Sequence, residues 1–148
     1  MKDEYNIEFE HICEDILNNE KFKSLDKELH HGITRYQHSI HVAKLTYVML
    51  RHSNNKNLER AVRAALLHDF YNDSELVEYN KVEKLSKHPF MALENAKKYF
   101  DINEMQEDII VNHMFPSTKN LPKTKEGKIV SMADKMVAMY EMTHYKTV

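Results

Sequence analysis

The chain has 148 residues with a formal net charge of -2, enough to bury one core and short of the length at which chains usually divide. With 21 basic against 23 acidic residues, the overall balance draws the chain to neither extended nucleic acid nor an anionic membrane. Two glycines and three prolines are too few for the tight turns of a sandwich or barrel, which leaves helices: the expected class is all-α, a bundle of about six helices forming one domain over residues 1–148. The single Cys13 excludes an internal disulfide, and the opening MKDEYNIEFEH lacks the apolar run of a signal peptide. No stretch approaches the roughly 18 consecutive apolar residues of a membrane span, so a reducing cytoplasm is the expected compartment. Ten histidines stand out, because imidazole is both a frequent metal ligand and a proton carrier.

In chain order, Phe9, Ile12, Cys13, Ile16 and Leu17 fall at helical spacing and predict a helix from about Asp3 to Asn18. A second runs from Gln37 to about His52, with His38, Val42, Leu45 and Met49 along one face. A third starts near Asn57, and its apolar face through Leu58, Val62, Ala65 and Leu66 leads to Asp69. Residues 70–87 read as a loop with one short helix near Ser74 to Tyr79. A fourth helix opens at His88-Pro89, with Pro at the first helical position, and continues to Phe100. A fifth begins near Asn103, carries Ile109 and Ile110 inward and is followed by His113; residues 114–127, with Pro116 and Pro122, form a long loop. The sixth runs from Lys128 to Met142, with Val130, Ala133, Val137 and Tyr140 inward and Asp134 among them.

One histidine on an apolar stripe is more often a hydrogen-bonded core residue than a ligand. An ionised carboxylate is different, since burial without a partner makes it protonate, find a cation or bind a metal. Five helices each deliver a His or Asp to the expected core face, the arrangement that a metal site inside a helical bundle requires. His68 and Asp69 are neighbours, about 100° apart on a regular helix, and reach one ion only where the helix ends. The following Phe70-Tyr71-Asn72-Asp73 reads as such an ending.

His38, then His68-Asp69, then Asp134 is a pattern that resembles the HD superfamily of metal-dependent phosphohydrolases. The flanking segments RYQHSIHVA from Arg35, AALLHDF from Ala64, HPFMALENAKKYF from His88 and IVSMADK from Ile129 resemble it too, over roughly residues 33–141. The resemblance implies a compact HD-domain bundle with metal on His38, His68, Asp69 and Asp134. Members with a second metal use two further histidines, matched here by His88 and His113, and Asp69 then bridges the ions. After His68-Asp69 the chain lacks the Ile-Gly-Lys of the HD-GYP phosphodiesterases, and Met114 follows His113 where those enzymes have another His, which argues against cyclic-di-GMP cleavage.

A mixed imidazole and carboxylate set suits one or two divalent transition metals, iron or manganese foremost, with zinc, cobalt and nickel also compatible. The expected activity is hydrolysis of a small phosphomonoester or phosphodiester, a nucleotide foremost, by metal-activated water that Asp69 orients. Arg35 and Lys135 are the candidate phosphate contacts. Asp73 is a further candidate acid. Lys81, Lys84, Lys87, Lys119, Lys123 and Lys125 read as solvated or as an attraction for an anion, His41 as a support behind the site or a substrate contact, and the C-terminal methionines as core filler or an oligomer face. The competing readings are a diiron oxygenase on the same six ligands and a non-catalytic nucleotide-binding or sensor module.

Overall fold

The computed structural model describes residues 2–30 and 32–145. Among them the chain forms seven α-helices: α1 (Lys2–Leu17), α2 (Glu20–Lys23), α3 (Arg35–His52), α4 (Leu58–Leu67), α5 (Lys81–Tyr99), α6 (Glu104–Val111) and α7 (Lys125–His144). The fold is all-α, apart from a hairpin of two-residue strands, β1 (Leu29–His30) and β2 (Ile33–Thr34), which pair antiparallel. Gly32 lies in the turn between them at φ 83°, a left-handed conformation that glycine adopts without penalty.

Helix α4 is the central element, touching α1, α3, α5, α6 and α7. Its sequence allows this: Ala61, Val62, Ala64, Ala65, Leu66 and Leu67 are all fully buried, and the three alanines let neighbours approach closely. Its polar edge is tied down by Arg63, which donates to Asp15 Oδ1 and Oδ2 at 2.6 and 2.9 Å, and by Arg60, which donates to Gln106 Oε1 at 3.0 Å. Directly after α4, Phe70 sits among Phe22, Tyr99 and Phe100 with ring centroids 6.0, 6.0 and 6.2 Å away. Asn95 Nδ2 donates to the Phe70 carbonyl at 3.0 Å, so the turn that carries His68 and Asp69 is held from both sides.

Several boundaries differ from the expected ones. Helix α3 starts at Arg35, because Thr34 and Gln37 form a reciprocal capping box. Helix α5 begins at Lys81, since Asn80 and Glu83 form another; Pro89 therefore lies inside the helix and His88 is not at its N-terminus. The short helix near Ser74 to Tyr79 is instead a 3-10 turn over Asp73–Leu76. Helix α7 opens at Lys125 behind Thr124, whose hydroxyl accepts from the Gly127 N–H at 3.0 Å. Tyr140 is 53% exposed rather than inward, and the neighbouring Glu141 takes the fully buried position. Helix α2 is the addition to the six expected.

Candidate metal centre

The four histidines are each fixed through Nδ1. His68 is the residue that ends α4, and its Nδ1 donates to the Ala65 carbonyl at 2.6 Å. His88 stands on α5, where its Nδ1 donates to the Lys84 carbonyl at 2.8 Å. His113 lies just past the end of α6 and donates to the Ile110 carbonyl at 2.7 Å. His38, in the second turn of α3, donates to Glu141 Oε1 on α7 at 2.7 Å. In every case the ring's other nitrogen, Nε2, points inward, which is the orientation that a metal-binding imidazole needs.

The inward atoms converge with two aspartates. Asp134 Oδ1 lies 2.9 Å from His38 Nε2 and 3.2 Å from His68 Nε2. Asp69 divides its oxygens: Oδ2 faces His68 Nε2 at 3.5 Å and His38 Nε2 at 4.0 Å, while Oδ1 faces His88 Nε2 at 3.4 Å and His113 Nε2 at 3.6 Å. His88 and His113 bring their Nε2 atoms within 3.3 Å of each other. Despite these approaches, Asp69 Oδ1 makes no well-aligned hydrogen bond to any described residue, although it is buried. Such an oxygen, facing the Nε2 atoms of rings whose Nδ1 atoms are already engaged, is the environment that a cation satisfies and a close-packed core does not. Two overlapping groups of His and Asp, His38 with His68 and Asp134 and His68 with Asp69 and His113, could hold a metal ion, their ligand atoms lying within 4.8 Å of one another.

Electrostatics give the same picture. Burial opposes ionisation of Asp69, yet the imidazoles around it, His68 first, hold its carboxyl well below the usual carboxylate range. Asp134 is held low in the same way, against burial and chiefly by His68. Burial and the neighbouring His68 push His113 down to about 4. Burial also works against a proton on His38, but hydrogen bonds to Asp134 and Glu141 outweigh it and raise the group to about 10. Without metal, the cluster thus keeps a proton on His38, between Asp134 and Glu141.

A family model, that of the HD domain, matches residues 35–139, which include all six of these side chains. The chain belongs to the HD domain family. None of the curated proteins or solved structures compared with it matches. HD domains bind divalent metals and belong to a superfamily of metal-dependent phosphohydrolases that acts on small phosphate substrates.

The cluster of this HD domain opens on a cavity of about 410 Å³ whose wall includes Asp69, His88, His113 and Asp134. A larger cavity of about 710 Å³, between Phe90, Met105 and Val111, touches none of the six and lies away from the chemistry. Lys135 lines the smaller cavity while its ammonium donates to Ser131 Oγ at 2.7 Å and to the His113 carbonyl at 3.1 Å. Arg35 is not presented to the cavity: its guanidinium is buried, donates to the Tyr71 carbonyl at 2.8 Å and to Asp73 Oδ1 at 3.0 Å, and stacks 4.0 Å from the Tyr71 ring. Tyr71 is the residue that reaches the cavity in its place. Asp73 is accordingly Arg35's partner, set back from the cluster.

Sequence reasoning missed Glu141. Its carboxylate is fully buried, with Oε1 on His38 and Oε2 3.3 Å from His41 Nδ1. A signal was available, because Glu141 follows Asp134 by seven residues and so lies on the same face of α7, two turns on. No helix among the described residues is long and apolar enough to cross a membrane.

Proposed function

We propose that this HD domain hydrolyses a phosphomonoester or phosphodiester of a small molecule, a nucleotide foremost, with one or two divalent transition metals held by His38, His68, Asp69, His88, His113 and Asp134. The observation that carries the reading is the division of Asp69, one oxygen toward each pair of histidines, with Oδ1 lacking any other partner. Imidazole and carboxylate donors together favour iron or manganese over calcium, and accommodate zinc, cobalt and nickel. Metal at such a site supplies a nucleophile from water near neutral pH and offsets charge that builds on the phosphoryl oxygens.

The protein's own groups complete the assignment. Asp69 and Asp134 both line the cavity, so a water placed there meets a carboxylate able to orient it and take its proton. Lys135 lines the cavity with its ammonium held by Ser131 Oγ at 2.7 Å, the His113 carbonyl at 3.1 Å and the Ser131 carbonyl at 3.4 Å, so it takes a phosphate oxygen by giving up the longest of these contacts. Arg35 acts at one remove: it fixes Tyr71, and Tyr71 shapes the wall. Turnover of a panel of nucleotide and sugar phosphates by manganese-loaded and iron-loaded protein tests the reading. Cleavage of at least one mono- or diester, seen by chromatography as inorganic phosphate or as a new monoester and abolished in Asp69→Ala, is the expected result, and no cleavage of any ester by fully loaded protein would overturn it.

A further inference from the structure

Helix α5 presents to the cavity more than a ligand. Lys81, Lys84, Leu85 and His88 all line it, and their spacing of three, four and seven residues puts them on one face of that helix. The wall therefore runs from His88, at the ligand cluster, to the two lysines at the start of α5. At a rise of about 1.5 Å per residue, Lys84 stands roughly 6 Å and Lys81 roughly 10 Å from His88 along the axis. Side chains on a helix lean toward its N-terminus, which carries both ammonium groups further from the cluster.

Neither lysine side chain is held by a hydrogen bond or ion pair to another described residue. Among the described residues, neither Lys81 nor Lys84 has a salt-bridge partner, in contrast to Lys21, Lys97 and the arginines. The nearest acid in sequence, Glu83, accepts from the Asn80 N–H at 2.9 Å as a helix cap. Lys87, one turn on from Lys84, leans over the Tyr79 ring at 5.6 Å and is not part of the wall. Lysines in the first turn of a helix also oppose its dipole, so their placement costs stability unless an anion joins them. Leu85, Met114 and Ala138 give the cavity apolar wall as well, beside Tyr71.

We infer that the substrate carries a second acidic group, carboxylate or phosphate, set off from the phosphate at the metal cluster by at least the roughly 6 to 10 Å that separates His88 from the two lysines along α5, and that Lys81 and Lys84 bind it. This rests on the proposed phosphohydrolase reading and narrows it to two-anion substrates with an apolar or ring-shaped middle. A phosphate ester without the second charge leaves both ammoniums unused.

The test is binding that needs no turnover, on protein whose metal content is measured in the same sample. The probes are benzylphosphonate, its para-carboxy derivative and its para-phosphonomethyl derivative, each titrated calorimetrically. At least one of the two-anion probes should bind about tenfold tighter than benzylphosphonate, and the larger gain identifies the acid. In Lys81→Gln/Lys84→Gln that preference should fall to near unity, whereas Lys119→Gln/Lys128→Gln, which removes the same charge elsewhere, should keep it. Equal affinity for all three probes, or a preference that survives the Lys81/Lys84 change, would overturn the inference. The outcomes separate from the hydrolysis reading: a lysine-dependent preference without turnover of any ester leaves the subsite standing and removes the hydrolase.

Discussion

Removing the carboxylate of Glu141 is the perturbation that best separates a metal centre from a buried polar network. The residue is fully buried, and its Oε1 accepts from His38 Nδ1 at 2.7 Å, while Oε2 lies 3.3 Å from His41 Nδ1. A carboxylate behind an imidazole fixes the ring's orientation and raises its basicity toward a metal on the other nitrogen. Glu141→Gln retains a carbonyl that can accept from Nδ1–H but has no charge, so the ring stays in place and loses basicity. Glu141→Ala loses both and removes buried packing besides. The expected loss of metal affinity is about tenfold for the amide and approaches 100-fold for alanine, roughly 1.4 and 2.7 kcal/mol. Competition with a chromophoric chelator reads the affinity, and thermal melts of the metal-free variants establish that they fold. If both variants fold and bind metal as the wild type does, His38 is not a ligand held by Glu141. A lowered melting temperature with unchanged affinity assigns Glu141 to structure alone.

Metal-free protein should also show a distinctive dependence on pH. His38 is raised from 6.5 to about 10 in the folded state, so its stabilisation is complete below about 6.5 and is lost as pH rises through about 10. His113 is lowered from 6.5 to about 4, so the unfolded chain takes up a proton that the folded one refuses, and stability falls as pH drops through that window. Denaturant midpoints of the metal-free protein should therefore decline from about pH 7 to 9, and a midpoint that climbs across that range would contradict the assignment. Binding of metal near neutral pH should expel at least one proton per chain, measurable by calorimetry in buffers of different ionisation enthalpy; no buffer dependence would count against His38 as a ligand. His113→Ala should lower the metal count per chain while His38, His68 and Asp134 keep the remaining ion, and an unchanged count would remove His113 from the set. Burial pushes the Cys13 thiol up to about 12, so a thiol reagent should label it only in denaturant, and rapid labelling of native protein would mean that the α1 packing is wrong.

The helical class and most helix faces were readable because apolar spacing reports burial directly. Phe9, Ile12, Cys13 and Ile16 are buried as the pattern of α1 requires, as are Val62, Ala65 and Leu66 on α4. The face of α3 was displaced by part of a turn: Leu45 and Met49 are partly exposed, while Ala43, Tyr47 and Leu50 are buried. The start of α5 was obscured because Val82 and Leu85 are 76% and 48% exposed, so the first turns carry no apolar stripe toward the core. The cap at Asn80 and Glu83, a local signal independent of burial, was the feature to read. Arg35 illustrates a different gap, since its distance in sequence from His38 indicates nearness to the cluster but not that Tyr71 and Asp73 engage its guanidinium. The cluster itself was legible as residues on separate core-facing segments. That Asp69 faces both pairs of histidines was implied by the family resemblance and not by helical spacing, because the fold of the turn after α4 sets the orientation of its two oxygens.

The most direct test of the account is the transition-metal content per chain of protein purified without chelator or nickel resin, measured by plasma mass spectrometry for wild type and Asp69→Ala. The account predicts one or two ions per chain, two if the His88 and His113 side is filled, and their loss in Asp69→Ala. Wild-type protein that stays metal-free after anaerobic reconstitution with iron or manganese, or Asp69→Ala that retains its full complement, would contradict it.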